Sequence, residues 1–486
     1  WNEKLYGESL FESFQSLKTA FDPDWLLNPG NVCGDVDMRE NLRFDDEYTF
    51  DPGFDAALEW DIENGMQGMV ELCHGCGGCR GPQETTGGVM CPTYRAADEE
   101  IQSTRGRANM LRGAINGELP ADPTDDEFVT EVMDLCVGCK GCAKNCPSGV
   151  DMAKLKAEVE HAHHAEHGAS LRTRLLGAFE SLAPIGSALA PLSNIPGKLP
   201  GAGILLEKTL GIARERDLPA FASESLTDWF DARGGAAVPR AEADREVLLF
   251  PDVYTTYTNP TAGKAAVRVL EAANCHVQIP DVTGSGRPPH SKGLLDESRA
   301  TARDTVETLS PDVEAGWDVV VVEPTDAVML QSDYADLLCG DASDVPDADV
   351  EAVGAHTYGV MEYLDVHRLD EALSFDAPTE RLTYHGHCHQ KATKKDHHAV
   401  GVLRRAGYGV DPLDSTCCGM AGSFGYEAEH YSMSQAIGEI LYEQVDESDG
   451  DVVVAPGASC STQLKDRGID AEEPPHPVEK LASALA

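Results

Sequence analysis

The sequence predicts an α+β multidomain protein in which a helical, cysteine-dense domain precedes a duplicated α/β domain. Three observations support this prediction: the length of 486 residues, a cysteine-dense stretch over 69–150, and short β-branched runs that alternate with helical patterns from residue 245 onward. At roughly 150 residues per domain, the chain is long enough for about three domains. Strand-like runs that alternate with helices are typical of parallel sheets covered by helices.

Changes in composition divide the chain into six predicted segments. The first contains apolar residues at helical spacing, the second is acidic and rich in turn formers, and the fourth has helical patterns broken by prolines. In order, we expect an amphipathic helix in 1–32, a linker in 33–68, the cysteine-dense domain in 69–165, a helical connector in 166–244, and α/β units in 245–375 and 376–486.

The amphipathic helix predicted for residues 1–32 has no partner within its own segment. Its apolar face is formed by Leu5, Leu10, Phe14, Leu17 and Phe21. An amphipathic helix is stabilised by burying such a face against other elements. We therefore expect this segment to be a piece of a larger domain.

The charge of the chain argues against a polyanionic partner. A net charge of −45 and a pI of about 4.5 would repel phosphate groups, so nucleic acid is not expected. Acidic residues are spread along the chain, which indicates adaptation to a salt-rich, halophilic cytoplasm. No apolar run reaches the ~20 residues of a membrane span, and no signal peptide is evident. We expect a cytoplasmic location and leave open a contact with the inner face of the membrane.

The C-terminal half repeats itself. Strands are predicted at 247–250, 276–279, 318–322, 381–384 and 451–454, and residues 266–289 resemble residues 399–422. Each of the two similar stretches precedes a helix and a strand that begins Asp-Val-Val-Val. The first copy has Gly284 and Ser285 where the second has Cys417 and Cys418, so the first copy lacks these thiols.

Two tandem cysteine motifs predict two [4Fe–4S] clusters. Each has the form Cys-x2-Cys-x2-Cys followed by a Cys-Pro pair, and in two-cluster ferredoxins the Pro-followed cysteine ligates the other cluster. Zinc is the alternative, but zinc sites usually combine separated Cys-x2-Cys pairs. The predicted ligands are Cys73, Cys76, Cys79 and Cys146 for one cluster, and Cys136, Cys139, Cys142 and Cys91 for the other.

A second group of cysteines lies in the last α/β unit, in Gly-rich turns or just beyond predicted strands. Open α/β sheets place ligands at such positions. The group could hold a third iron–sulfur cluster or zinc, and the remaining alternative is a set of unconnected buried cysteines. The residues are Cys388, Cys417, Cys418 and Cys460, with His385, His387 and His389 as further ligands or proton donors. Cys33, Cys275 and Cys339 have no partner at ligand spacing and are predicted to be structural.

The order of these motifs resembles a family of redox proteins. The two tandem cysteine motifs followed by a duplicated Cys-Cys-Gly unit resemble the iron–sulfur subunits of glycolate oxidase, anaerobic glycerol-3-phosphate dehydrogenase and heterodisulfide reductase. Residues 1–32 resemble the closing helix of the FAD-linked oxidase C-terminal domain. Residues 88–113 resemble the version in which the iron–sulfur half is fused to that domain. The resemblance points to the FAD-dependent D-2-hydroxyacid dehydrogenases of the D-lactate dehydrogenase (cytochrome) type.

This resemblance implies a function and a set of partners. It implies that FAD, in the full-length protein or a partner subunit, oxidises a D-2-hydroxy acid and that the clusters relay electrons to a quinone, a cytochrome or another carrier. The chain alone should lack the substrate-oxidising flavin site, and its catalytic residues are unknown. The alternative is a separate electron-transfer subunit of glycerol-3-phosphate dehydrogenase or heterodisulfide reductase.

The sequence departs from the family pattern at two places. The first copy has Ser285 for a cysteine and Asp326 near the later cysteine position, so only the second copy should bind a cluster. In the second copy Gln463 occupies the last Cys-x2-Cys position. A third centre with fewer thiol ligands is therefore expected.

We expect removal of salt to lower the midpoint of thermal unfolding. The 83 acidic residues far outnumber the 38 basic ones, and the Debye length grows from ~3 Å at 1 M to ~30 Å at 0.01 M salt. The measurement is circular dichroism of cluster-loaded protein from molar to tens of millimolar KCl. A midpoint that stays constant or rises as salt is removed would contradict the halophilic interpretation.

Overall fold

The computed structural model describes residues 2–37, 39–40, 42, 48–81, 90–195, 199, 201–340, 343–468 and 471–486. The chain divides into two compact units, Trp1–Asp51 and Pro52–Ala486. Parts of the predicted linker, at 38, 41 and 43–47, and part of the cysteine-dense domain, at 82–89, lie outside the described residues.

The first unit contains two helices in place of the single helix predicted for residues 1–32. The helices span Asn2–Tyr6 and Glu8–Phe21, and Gly7 between them has a φ of 83°, which helical backbone does not allow. Neither helix buries a residue. Leu17 and Phe21, two residues of the predicted apolar face, are 59% and 84% exposed.

The second unit begins with a helical region that contains both tandem cysteine motifs. Its α-helices are short except for two, and a π-helical turn, Val129–Met133, precedes the second motif. Among the described residues of this region, the α-helices span Gly65–Glu71, Pro92–Ala97, Thr104–Ile115, Asp126–Phe128, Gly141–Asn145 and Met152–His167. The connector that follows contains helices at Leu171–Gly177, Phe179–Ala188, Ala202–Leu210 and Leu226–Ala232.

The first sheet has four parallel strands in the order β2-β1-β3-β4. These are β1 (Arg245–Leu249), β2 (Cys275–Gln278), β3 (Asp318–Val321) and β4 (Thr357–Gly359). The associated helices span Val253–Tyr257, Pro260–Ala272, Arg287–His290, Leu295–Glu314, Pro324–Val328, Tyr334–Leu338, Asp347–Ala355 and Val360–Val366. Parallel pairing requires crossover connections, and these helices provide them.

The second sheet has three parallel strands in the order β6-β5-β7. These are β5 (Arg381–Tyr384), β6 (Gly409–Pro412) and β7 (Val452–Val454), and the helices span Cys388–Ala392, His397–Arg405, Tyr431–Glu447, Ala458–Lys465 and Pro477–Ser483. All five predicted strands are present to within one or two residues. The sequence analysis missed β4 and β6, which are short and have exposed or half-buried positions.

One hydrophobic core joins the two sheets. Val247 and Val320 of the first sheet and Leu382 and Val454 of the second belong to the same buried cluster, together with the helix Pro477–Ser483. The opposite face of the first sheet packs against Leu295–Glu314 in a second cluster. Full burial of each such aliphatic side chain stabilises the fold by about 1.5–3 kcal/mol. The bounds of the six predicted segments stay predictions.

A buried carboxylate fixes the segment before the first cysteine motif. Glu158, on the helix Met152–His167, accepts hydrogen bonds from the backbone N–H groups of Ala57 (2.8 Å) and Leu58 (2.7 Å) and from Nε1 of Trp60 (3.0 Å). Glu158 is 1% exposed. Hydrogen bonds to a buried charged group contribute more than neutral ones, so this carboxylate holds residues 57–60 against the helical region.

We expect Glu158→Gln to lower the free energy of unfolding by about 1–3 kcal/mol, because the amide NH2 would face N–H donors in place of an acceptor oxygen. The measurement is the midpoint of guanidinium-induced unfolding. Glu297→Gln is the matched control, since Glu297 is exposed on the helix Leu295–Glu314. Equal losses in the two variants would contradict a structural role for Glu158.

Candidate functional site

The first tandem motif lies in a loop that glycines allow to turn tightly. Gly75 and Gly77 have φ values of 80° and 77°, and Cys79 follows in a short 3-10 helix, Gly78–Arg80. The backbone N–H of Arg105, in the first turn of the helix Thr104–Ile115, donates to Cys79 Sγ (3.4 Å). A helix N-terminus favours negative charge, so the loop is suited to hold thiolate ligands.

Cys91 lies between the two motifs. Its Sγ receives a hydrogen bond from the backbone N–H of Thr104 (3.0 Å) and contacts the Thr104 hydroxyl at 2.9 Å. A hydrogen bond with Cys91 lowers the pKa of Cys79 to about 6. The same hydrogen bond, burial and then the charge of Cys142 raise the pKa of Cys91 well above its usual value. The structure therefore brings Cys91 near both motifs, and its assignment to the second cluster stays a prediction.

The second motif is held by the start of the helix Met152–His167. The backbone N–H of Met152 donates to Cys142 Sγ (3.3 Å), and Lys156 Nζ donates to the carbonyl of Cys136 (2.7 Å). A Cβ placed on Gly78 would lie 3.7 Å from the Pro147 ring and 3.7 Å from Cys76 Sγ. The Cys146-Pro147 pair of the second motif thus lies against the first motif. Cys146 must lie there if it is to ligate the cluster of the first motif, as predicted.

The four cysteines of the second α/β unit meet at the carboxyl end of its sheet. Cys388 begins the helix after β5, Cys417 and Cys418 follow β6, and Cys460 lies on the helix after β7. All four are buried. Cys417 is hydrogen-bonded to Cys388 and Cys418, and Cys418 to Cys460. The four cysteines are therefore in contact with one another and are not unconnected.

His385 joins this group of thiols. One of its ring nitrogens and the Sγ atoms of Cys418 and Cys460 all lie within 4.8 Å of one another. Its Nδ1 is hydrogen-bonded to Ser415 Oγ at 2.6 Å, which fixes the ring. Burial lowers the pKa of His385, so the imidazole is neutral, as a metal ligand must be. Three or four thiolates and an oriented imidazole fit an iron–sulfur cluster or zinc.

The other two predicted histidines have different contacts. His387 accepts a hydrogen bond from the backbone N–H of His389 (3.2 Å) and caps the helix Cys388–Ala392. His389 Nε2 is hydrogen-bonded to the carbonyl of Gly138, at 3.0 Å. Gly138 lies between Cys136 and Cys139 of the second motif. His389 therefore links the two groups of cysteines.

This link is reinforced by direct packing. Cys139, Cys388 and Cys417 form one buried cluster, and the helices Gly141–Asn145 and Cys388–Ala392 pack together. The pKa of Cys139 is raised well above its usual value, first by burial and then by the charge of Cys388. The ligand set of the second predicted cluster thus touches that of the third predicted centre.

The equivalent loop of the first sheet contains carboxyl groups. Asp326 is hydrogen-bonded to Ser285 Oγ, and Glu180 of the connector accepts from the backbone N–H of Ser285 (2.9 Å) and Gly286 (3.1 Å). A Cβ on Gly284 would lie 2.3 Å from Glu180 Cδ, so only glycine admits this side chain. Burial raises the pKa of Glu180 to about 7 and that of Asp326 well above its usual value.

Two carboxyl groups near Asp326, those of Glu180 and Glu323, were not predicted from the sequence. Glu180 lies 105 residues before Ser285, and Glu323 accepts from the backbone N–H of Ala458 at 2.9 Å, 135 residues away. No local pattern signals contacts at such separations. Burial raises the pKa of Glu323 to about 7.

Gln463 is held away from metal binding by other contacts. Its Oε1 accepts from Arg216 Nη2 (2.7 Å), and its Nε2 donates to the carbonyl of Ser434 (3.2 Å). Arg216 also donates to Ser434 Oγ (2.9 Å). Among the cysteines predicted to be structural, Cys275 is buried in β2, and Cys33 and Cys339 are partly buried.

Within the residues that the structure describes, no helix has the length and apolar character needed to cross a membrane.

Comparison with known proteins identifies the domains. Residues 69–150 match the 4Fe-4S dicluster domain, residues 382–465 match the cysteine-rich domain named CCG, and residues 1–32 match the FAD linked oxidases C-terminal domain. The chain thus combines segments that match an iron–sulfur dicluster domain, a cysteine-rich domain and the C-terminal domain of FAD linked oxidases.

Particular relatives agree with these domain matches. The chain is 24% identical over 531 residues to D-2-hydroxyglutarate dehydrogenase of Haemophilus influenzae, covering 100% of this chain and 50% of that protein. It is 28% identical over 323 residues to a subunit of the anaerobic glycerol-3-phosphate dehydrogenase of Escherichia coli, covering 65% of this chain and 78% of that subunit. It is 22% identical over 442 residues to the glycolate oxidase iron-sulfur subunit of Escherichia coli, covering 89% and 94%.

The resemblance drawn from the sequence to FAD-linked dehydrogenases and to the iron–sulfur subunits of glycolate oxidase and anaerobic glycerol-3-phosphate dehydrogenase is therefore confirmed. The chain spans about half the length of the D-2-hydroxyglutarate dehydrogenases that it matches.

We expect Cys417→Ser to remove a metal centre and Ser285→Ala to leave metal content unchanged. Cys417 contacts the other thiols of the second sheet, whereas Ser285 is hydrogen-bonded to carboxyl groups. The measurement is metal and sulfide content per chain after anaerobic purification. Ser285→Ala is the matched control at the equivalent position of the first sheet. Equal metal loss in both variants would refute the asymmetry between the two loops.

Proposed function

We propose that this chain is the iron–sulfur portion of an FAD-dependent D-2-hydroxyacid dehydrogenase, of the D-lactate or glycolate-oxidising kind. In this proposal, the flavin lies in the part of the relatives that this chain does not span. Two [4Fe–4S] clusters, held by Cys73, Cys76, Cys79 and Cys146 and by Cys136, Cys139, Cys142 and Cys91, take electrons from it.

The third centre is proposed to receive these electrons. It would be held by Cys388, Cys417, Cys418 and Cys460, with His385 as an additional ligand. The observation that carries the proposal is the packing of Cys139 against Cys388 and Cys417, together with the hydrogen bond from His389 to Gly138. Ligands in contact give electrons a short path through protein atoms.

The chain's own residues also set the conditions of transfer. Backbone N–H groups of Arg105 and Met152 point at Cys79 and Cys142, and hydrogen bonds to ligand sulfur are one of the factors that set cluster potential. Burial of Cys139 and Cys417 keeps water from the junction between the centres. When bound, the clusters supply one-electron transfer.

We further propose that the α/β unit is duplicated. The strands β1, β2 and β3 have the same neighbour order as β5, β6 and β7, with the first strand of each unit at the centre. The Cys-Cys-Gly segment and the Gly284-Ser285-Gly286 segment both follow the second strand of their unit. On this proposal the first copy has exchanged metal binding for a hydrogen-bonded carboxyl cluster.

A second candidate function is a separate electron-transfer subunit. The match to the glycerol-3-phosphate dehydrogenase subunit, which covers 78% of that relative, favours it. The match of residues 1–32 to a flavin-oxidase domain favours the fused enzyme. Sequencing the gene upstream distinguishes the two, because a flavin domain in the same reading frame supports fusion and its absence there supports a separate chain.

We expect anaerobically purified protein to contain two interacting [4Fe–4S] centres in addition to the third centre. The tandem motifs motivate this, and the proximity of Cys91 to both Cys79 and Cys142 implies neighbouring clusters. The measurements are iron and sulfide analysis and electron paramagnetic resonance of the reduced protein, where neighbouring centres broaden each other's signals. About stoichiometric zinc with negligible sulfide would refute the proposal, as would isolated, uncoupled signals.

A further inference from the structure

A large cavity adjoins the proposed third centre. It has a volume of about 820 Å³, and its lining includes Cys388, Cys417 and Cys418. Sites for small organic ligands usually have volumes of about 300–1,000 Å³. A metal centre held by the cysteines would take up only one end, because the cavity also extends to the connector, where Phe179, Leu218 and Phe221 line it.

The connector end of the cavity has aromatic walls. The rings of Phe179 and Phe221 are stacked with centroids 6.2 Å apart, and Phe179 also contacts Tyr254 at 5.8 Å. All three side chains line the cavity. Offset stacking on such rings favours a planar ligand over an aliphatic one.

The Tyr254 hydroxyl is available to a ligand. In the part of the chain that the structure describes, the hydrogen bonds of Tyr254 are made by its backbone atoms only. Burial raises the pKa of Tyr254, so the hydroxyl keeps its proton and can donate it in a hydrogen bond. Tyr254 is half-buried and lines the cavity, so a ligand carbonyl oxygen there can accept a hydrogen bond from its hydroxyl.

The first part of the connector, residues 168–218, is rich in exposed apolar side chains and is not acidic. Six of its aliphatic side chains are 55–67% exposed: Leu171, Ile185, Leu189, Leu192, Leu199 and Leu205. Residues 168–218 contain six basic residues and four acidic ones, although the whole chain has a net charge of −45. Leu218 is 43% exposed and also lines the cavity, so this apolar surface continues into the cavity.

We propose that the cavity binds a quinone, with its ring against Phe179, Phe221 and Tyr254 and one carbonyl oxygen accepting a hydrogen bond from the Tyr254 hydroxyl. This inference rests on the proposed function, because the electrons reach the quinone through the centre at Cys388, Cys417 and Cys418. A protein carrier would dock on the surface and would have no use for an aromatic-walled cavity.

The reaction balances without another reactant. The 2-hydroxy acid is oxidised to the 2-oxo acid at the flavin and releases two electrons and two protons. The electrons pass singly through the centres to one quinone, which takes up two protons from water and becomes the quinol. The proposed site thus supplies the electron acceptor that the dehydrogenase requires.

The test uses cluster-loaded protein and two probes. Binding of oxidised decylubiquinone is measured by equilibrium dialysis, and reoxidation of dithionite-reduced protein is followed by the visible absorbance of the clusters. Tyr254→Phe should weaken binding and slow reoxidation at low quinone concentration by about 3- to 10-fold, the effect of one neutral hydrogen bond. Tyr257→Phe is the control, because Tyr257 lies on the same helix but outside the cavity lining. Phe221→Leu should weaken binding as well.

Two further arms make the outcomes distinct. Ferricyanide should reoxidise all variants equally, because it does not need the cavity. A chain without reducible centres would react with neither ferricyanide nor the quinone, and that result would refute the proposed function. Menadione in buffer tests a quinone taken from solution, and decylubiquinone in phosphatidylglycerol vesicles tests a quinone taken from a lipid surface. A reoxidation rate that saturates with either quinone supports the site. Unsaturable reoxidation, or equal behaviour of Tyr254→Phe, Tyr257→Phe and the unchanged protein, would overturn the inference.

Discussion

The mutual repulsion of closely packed thiolates is the constraint on which the second α/β unit depends. Four buried thiols in hydrogen-bonding contact cannot all ionise unless a cation balances them; accordingly, the pKa values of Cys417 and Cys460 are raised by their neighbours while that of Cys418 is lowered. These thiols follow three different strands, β5, β6 and β7. A metal centre would therefore tie together the loops at one edge of the sheet, and binding of the metal would contribute directly to the stability of this unit.

The helical region packs against both α/β units. Cys139 packs on Cys388 of the second unit, and Lys140 binds the buried carboxylate of Asp333 in the first unit at 2.6 Å; Arg287 of the first unit binds the same carboxylate at 2.8 Å. These cations lower the pKa of Asp333 although burial opposes them. Removing one partner of a buried pair is costly because the remaining charge stays desolvated. The dicluster region is thus held against the first α/β unit as well as the second.

The sequence was sufficient wherever the determining pattern was local. Strand positions followed from short β-branched runs, and the cysteine groups followed from spacing and from the tendency of parallel sheets to gather ligands at their carboxyl ends. The break at Gly7 was missed because one glycine in an otherwise periodic helix is only a weak signal. Glu180 beside Ser285, and His389 beside Gly138, could not be predicted because the partners are 105 and 251 residues apart and no periodicity connects them.

The carboxyl groups at the first sheet also limit which substitutions this loop can accept. Glu180 occupies the space beside Gly284, and its oxygens hold the backbone N–H groups of Ser285 and Gly286. A cysteine at position 284 or 285 would place its thiol against the buried carboxyl group of Glu180. A metal site could therefore be built in the first sheet only by changing several residues together, one of them Glu180 of the connector, so the packing of this loop makes each single change on that route unfavourable.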